Sequence, residues 1–280
     1  MNLKSRLQHI QQKGSIGKMP MMKRLVFVCV LLLGLFPVIV HAQENPFLDI
    51  EFWETATVED VEKMLDSGVD VKVRDKLGFT PLYWAARIST PEIIELLLDA
   101  GADVHARSRE GVTSLHRAAR FIKTPEIIEL LLDAGADVHA RNKDGMTPLH
   151  VAIQNSNALE VIELLLDEEA DVNARNKDGT TPLHEAMQYS ESLEVIELLL
   201  DEGADVNAPN KEGKTPLHFG AGYSKTSEII SFLLDIGADA KAKDNEGRTP
   251  FDIAEENEHL KGSDIYWRLN DARYKDLPAR

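Results

Sequence analysis

Asp144-Gly145-Met146-Thr147-Pro148-Leu149-His150 is followed by Leu164-Leu165-Leu166 and then by Ala170-Asp171-Val172-Asn173-Ala174, and the same order returns at once. The second copy reads Asp178-Gly179-Thr180-Thr181-Pro182-Leu183-His184, then Leu198-Leu199-Leu200 and Gly203-Ala204-Asp205-Val206-Asn207-Ala208. Outward from this pair, the Thr-Pro-Leu mark or a close variant falls at Thr80, Thr113, Thr147, Thr181, Thr215 and Thr249, at spacings of 33, 34, 34, 34 and 34 residues. A fixed period of this length describes a solenoid of stacked units, each burying its apolar face against its neighbours. Unit one is the one opened by Thr80.

The marks have local physical meanings. Thr before Pro is an N-cap before a first helical residue whose missing N–H would have had no partner. A second helix follows, as in Ile93-Ile94-Glu95-Leu96-Leu97-Leu98, with a broad apolar face. Gly101, Gly135, Gly203 and Gly237 end those second helices, and the polar segments between units turn at a further Gly to make projecting fingers. Unit three has Glu169 where the others have Gly, which predicts a local cost on the order of 1 kcal/mol and an array that opens first there. Units two to five carry one extra residue between their helices, so those turns are expected to bulge.

Asp-Gly-x-Thr-Pro-Leu-His, combined with Leu-Leu-Leu-x-x-Gly-Ala-Asp-Val-Asn-Ala, resembles the ankyrin repeat, nearly verbatim over residues 145–212 and in outline over 45–273. The resemblance implies an all-α ankyrin-repeat solenoid of about seven helix-turn-helix units. Residues 43–77 are then a degenerate capping unit, 78–246 five repeats, 247–273 a capping repeat and 274–280 a tail. It also implies binding of a protein partner through finger tips and first helices.

The first 42 residues are different material. They hold Lys4, Arg6, Lys13, Lys18, Lys23 and Arg24 and no acid, which leaves the other 238 residues with 25 basic and 47 acidic side chains. Leu25–Val40 is an uncharged apolar run of 16 residues, followed by His41-Ala42. A basic flank, a short apolar core and a small residue at the cut describe a secretory signal peptide, cleaved after Ala42, with Met21 or Met22 as an alternative start. The run is short for a membrane span of about 20 residues, so an uncleaved anchor is the lesser reading. The expected location is periplasmic or secreted. The single Cys29 lies inside the apolar core, so no intramolecular disulfide is possible.

No catalytic motif is present: no phosphate loop, no Gly-x-Ser-x-Gly, no His-Glu-x-x-His and no cysteine beyond Cys29. The expectation is therefore a protein that is not an enzyme and has neither cofactor nor metal. His116, His150, His184 and His218 recur once per unit. Units packed about 8–10 Å apart hold neighbouring histidines too far apart to share a zinc ion. The resemblance implies instead that each bonds nearby backbone and locks one unit to the next. Recurring carboxylates such as Glu95, Glu129 and Glu163 read as solvated positions, and His105 and His139 as solvated loop residues.

Strong acidity argues against nucleic acid and anionic lipid. The candidate protein-binding residues are Phe79, Tyr83, Trp84, Arg109, Arg117, Phe121, Lys143, Met146, Lys177, Tyr189, Lys214, Phe219 and Tyr223. Aromatic and Arg side chains dominate protein interfaces, and the finger cations, Arg74, Arg107, Arg141 and Arg175 among them, read first as solubility and alternatively as a basic edge that steers an acidic partner. Tyr83, Trp84 and Phe219 could equally pack between helices, whereas Phe121, Tyr189 and Tyr223 end first helices and are expected to be exposed. The expected molecule is a monomer binding one protein of unknown identity, without membrane contact once the signal is removed. The alternatives are an envelope tether held by its uncleaved anchor, and a stoichiometric inhibitor of a secreted enzyme.

Overall fold

The computed structural model describes residues 45–121, 125–155, 159–190, 192–272 and 274. Residues 1–44, with the expected signal peptide and its expected cut after Ala42, lie outside them. So do Ile122-Lys123-Thr124, Ser156-Asn157-Ala158 and Glu191, and with them three of the four turns expected to bulge. In the fourth, Ser224 Oγ donates to the carbonyl of Thr226 at 2.8 Å and accepts from its N–H at 3.3 Å, which closes the turn on itself.

Among the described residues the chain is helical throughout, in seven antiparallel pairs. After a 3-10 turn, Pro46–Leu48, come α1 (Ile50–Trp53) and α2 (Val58–Asp66). Five full pairs follow: α3 (Pro81–Ile88) and α4 (Pro91–Asp99), α5 (Ser114–Phe121) and α6 (Glu126–Asp133), α7 (Pro148–Asn155) and α8 (Leu159–Asp167), α9 (Pro182–Tyr189) and α10 (Leu193–Asp201), α11 (Pro216–Tyr223) and α12 (Ser227–Asp235). The chain ends its helical part with α13 (Pro250–Ala254) and α14 (Asp264–Ala272). First helices α3, α5, α7, α9, α11 and α13 pack in one row, and the second helices form a row behind it. The core runs between the rows from Phe47 to Leu269 without a break, through residues such as Leu82, Leu115, Leu149, Leu183 and Leu217 that are buried at each first helix. The all-α solenoid read from the sequence is the architecture observed.

Thr, Pro and His work as one device. The Thr is N-cap and the His is the third helical residue: His150 Nδ1 accepts from the Thr147 N–H at 3.3 Å and meets its hydroxyl at 2.9 Å, while the His150 N–H donates to Thr147 Oγ1 at 3.4 Å. This is a capping box with imidazole in the place of the usual carboxylate. His116, His184 and His218 make the same contact with Thr113, Thr181 and Thr215. Since Nδ1 is an acceptor, Nε2 carries the proton and donates across the joint: His116 to the Met146 carbonyl, His150 to Thr180, His184 to Lys214 and His218 to Arg248, at 3.0–3.1 Å. The histidines are structural locks. Burial, opposed by the carbonyl contact, pushes His116, His150 and His184 down to about 4, and His218 is lowered for the same first reason.

Fingers are held from inside. Asn142 Oδ1 accepts from the N–H groups of Asp144 and Met146 at 2.9 and 3.0 Å, and Asp75, Ser108, Asn176, Asn210 and Asp244 repeat this pattern. Neighbouring fingers are then stitched by backbone bonds, such as Lys177 N–H to the Asp144 carbonyl at 2.8 Å. Gly145 is required there: its φ is +76°, and a Cβ would stand 2.9 Å from the Lys177 nitrogen. Glu169 is the one non-glycine residue with positive φ, at 64°, among the described residues, in the helix-ending position of unit three.

Candidate protein-binding face

First helices and fingers present one continuous face. The last residue of each first helix lies at the same place in the repeat, and along α3, α5, α7, α9 and α11 these residues are Ile88, Phe121, Asn155, Tyr189 and Tyr223. Their exposures are 37% for Ile88, 39% for Phe121, 49% for Tyr189 and 56% for Tyr223, and Asn155 is exposed too. Four large apolar or aromatic side chains are thus held in solvent in register, although burial of each would be favourable.

At the amino-terminal end of this face, Phe79 stacks on Tyr83 with ring centroids 4.0 Å apart, and Trp84 sets its edge against both. The Arg117 guanidinium lies 4.9 Å from the Tyr83 ring, 5.6 Å from Trp84 and 4.4 Å from Phe121. Arg87 and Arg120 approach the same Phe121 ring at 5.2 and 5.3 Å. Tyr83 is 93% buried by this arrangement, so it supports Arg117 and offers little surface of its own. Burial raises the Tyr83 phenol above its usual value, opposed chiefly by Arg117.

At the other end the chemistry changes. Glu185 of α9 is only 4% exposed. Its two oxygens accept from Gln154 Nε2 at 2.9 Å and Asn176 Nδ2 at 3.4 Å, and burial lifts its pKa. Phe219 is half-buried with its ring set edge-on to His184 at 5.0 Å, and Tyr223 lies 6.0 Å beyond it.

The finger cations divide into two groups. Arg74, Arg107, Arg141 and Arg175 donate to the carbonyls of Arg107, Arg141, Arg175 and Pro209, each in the next unit. These four are joints of the solenoid. At the tips, Lys143 pairs with Glu110 at 2.8 Å and Lys214 with Glu212 at 2.7 Å, while Arg109 and Lys177 are exposed. Met146 is half-buried and gives its carbonyl to His116. His105 and His139 are exposed, as expected of loop residues.

Arg87 and Arg120 were missed. Each is the next-to-last residue of its first helix, and they are 33 residues apart, so the repeat period itself was the available signal. On the outer face, Glu197, Asp201, Asp205, Phe232 and Asp235 line an acidic groove between α10 and α12. Among the described residues no cluster of three or more His, Cys, Asp or Glu is placed to hold a metal ion, and no helix is long and apolar enough to cross a membrane.

A family model described as ankyrin repeats (3 copies) matches residues 54–142, 115–210 and 192–265. Among solved structures, the chain is similar to the crystal structure of the ankyrin repeat domain of Bcl-3, described as a unique member of the IkappaB protein family. The identity is 30% and the TM-score 0.64, with 82% of this chain and 99% of that one covered. No curated protein matches the chain.

Proposed function

The chain belongs to the ankyrin repeat family, whose arrays are protein–protein interaction modules, and on that premise we propose that it binds a protein partner through the face made by its fingers and first helices. The observation that carries this reading is the register of Ile88, Phe121, Tyr189 and Tyr223, exposed at one position of four units. Aromatic anchors repeated along a rigid face supply large contact area at low entropic cost. The His locks and the arginine-to-carbonyl joints fix that face before a partner arrives, which lowers the ordering cost of association. Among the described residues this face holds no converging set of acid, base and nucleophile, and the proposed role is recognition without chemistry.

Export belongs to the proposal as well. Its support is the pattern of the leader, a basic flank, a short apolar run and Ala42 at the cut. Protein sequencing of the product from the host's envelope and cell-free fractions should find an amino terminus at Gln43; a chain still carrying residues 1–42 would favour the tethered form.

The binding reading is tested by capture from the host, with the wild-type chain beside a Phe121→Ala, Tyr189→Ala, Tyr223→Ala triple variant of unchanged circular dichroism. Retention of one protein by the wild type and its loss from the variant is the expected result. Equal retention by both would move the interface to the acidic outer helices or the ends of the array.

A further inference from the structure

Three guanidinium groups surround the Phe121 ring, those of Arg117, Arg87 and Arg120, at 4.4, 5.2 and 5.3 Å. Among the described residues none of the three is in an ion pair. This is unusual in a chain of net charge −16, where most finger cations find a carboxylate or a carbonyl. Like charges gathered at one spot repel one another. Burial, and after it the charges of Arg87 and Arg120, hold Arg117 below its ordinary value, with Tyr83 opposing, yet a guanidinium stays protonated.

The cluster also has more donors than acceptors. Arg117 Nε and Trp84 Nε1 are both buried and have no hydrogen-bond partner among the described residues. An unpaired buried donor is costly, which favours a ligand that brings an acceptor. The Arg117 guanidinium is held among the Tyr83, Trp84 and Phe121 rings, which confines it before binding, and Arg87 of α3 and Arg120 of α5 flank the same site. Guanidinium groups gathered beside an exposed aromatic ring suit carboxylates carried on a peptide with an apolar neighbour.

We propose that the Arg87, Arg117 and Arg120 cluster, with Phe121 at its centre, is the subsite that receives an acidic peptide segment of the protein partner. This rests on the reading of the first-helix face as the binding face and adds the chemistry of what binds there. The global charge of the chain does not oppose it at physiological salt: the Debye length is about 8 Å, so the nearby cations govern the local potential. A second copy of the chain, whose outer groove offers Glu197, Asp201 and Asp235, is the competing occupant.

The test is fluorescence anisotropy at 0.15 M salt with the full chain and a labelled 12-residue peptide of alternating Glu and Phe-Gly pairs, beside its Gln-for-Glu counterpart. The Glu peptide should bind at least ten-fold more tightly than the Gln peptide, and that preference should fall at least five-fold in an Arg87→Gln, Arg120→Gln double variant. Arg117→Lys, which keeps the charge and loses the fork, should fall between the two. Equal binding of both peptides, or a preference unchanged by the double variant, overturns the proposal. Self-association on sedimentation that the double variant abolishes, without peptide binding, overturns it in favour of a second copy. Partner capture lost in the Phe121, Tyr189 and Tyr223 variant but kept in the arginine double variant overturns this subsite and leaves the binding face standing.

Discussion

The joint between unit one and unit two and the joints that follow it solve one packing problem with different chemistry. From unit two onward, a His caps its own helix and donates to a carbonyl in the next unit. At unit one the equivalent residue is Tyr83, which has no ring nitrogen, and the cross-joint contact is Arg117 of α5 lying over the Tyr83 and Trp84 rings of α3. The later units add a second clamp, in which Asn173 and Asn207 each bond two backbone groups of the following tail; His105 and His139 occupy those places in units one and two. Directional, buried hydrogen bonds make the carboxyl-terminal joints stiff. The amino-terminal joint keeps its finger bonds, such as Arg109 N–H to the Leu77 carbonyl at 2.8 Å, but puts stacking and charge in the place of the His bond, and Arg87, Arg117 and Arg120 keep their ionic capacity for a partner.

Acid gives the largest break between the two. Burial holds His116, His150 and His184 at about 4 in the folded array, against about 6.5 unfolded. The unfolded chain therefore binds more protons between those values, so the stabilisation is complete above pH 6.5 and is lost as pH falls toward 4. Each His contributes a slope of about 1.4 kcal/mol per pH unit in that window. Urea titrations at pH 7 and 5 should show a loss of several kcal/mol, with hydrogen exchange rising at α5 to α11 more than at α3. Uniform acceleration along the chain would erase the distinction.

Removing one lock comes next. His184→Ala leaves the Thr181 N–H and the Lys214 carbonyl without their buried partner and opens a cavity beside Phe219, so a loss of about 3 kcal/mol in urea denaturation is expected, against about 1 kcal/mol for Arg117→Gln. Equal losses would mean that the stacked joint is as strong as the bonded ones.

Glu169→Gly should stabilise by about 1 kcal/mol, because the position has a φ of 64° and glycine adopts it freely. In the wild type, hydrogen exchange near residue 169 should be faster than at Gly135 and Gly203; equal protection there would remove unit three as the weak point. The smallest change at neutral pH is expected for Tyr83→His, within about 1 kcal/mol, since a new lock replaces a stack. Its signature is a steeper loss of stability between pH 6.5 and 5. A pH profile identical to the wild type would show that the ring had not reached the next unit's carbonyl.

The repeat, the caps and the fingers were legible because their causes are local. Thr147, Pro148 and His150 lie within one helical turn, and Asn142 bonds N–H groups two and four residues on. The exposure of Phe121, Tyr189 and Tyr223 was legible for the same reason, as each ends a short helix. The fate of Arg107 and Arg141 was hidden, since their acceptors are 34 residues away and a finger cation looks alike in sequence whether or not it is bonded. The burial of Glu185 was hidden for the same reason. Its burial depends on Gln154 and Asn176 of the preceding stretch closing over it.

Sequence alone determined the unit, its period, the solenoid and the roles of the recurring Thr, Pro and Gly, because each follows from backbone geometry within a few residues; the role of the His came from the ankyrin resemblance, since its acceptor carbonyl lies 30 residues away. Tertiary structure alone decided which cations are joints and which remain unpaired, since electrostatic pairing depends on distances across units. It gathered Arg87, Arg117 and Arg120 around one ring by stacking α5 on α3, and that stacking is where a general scaffold acquires a particular surface.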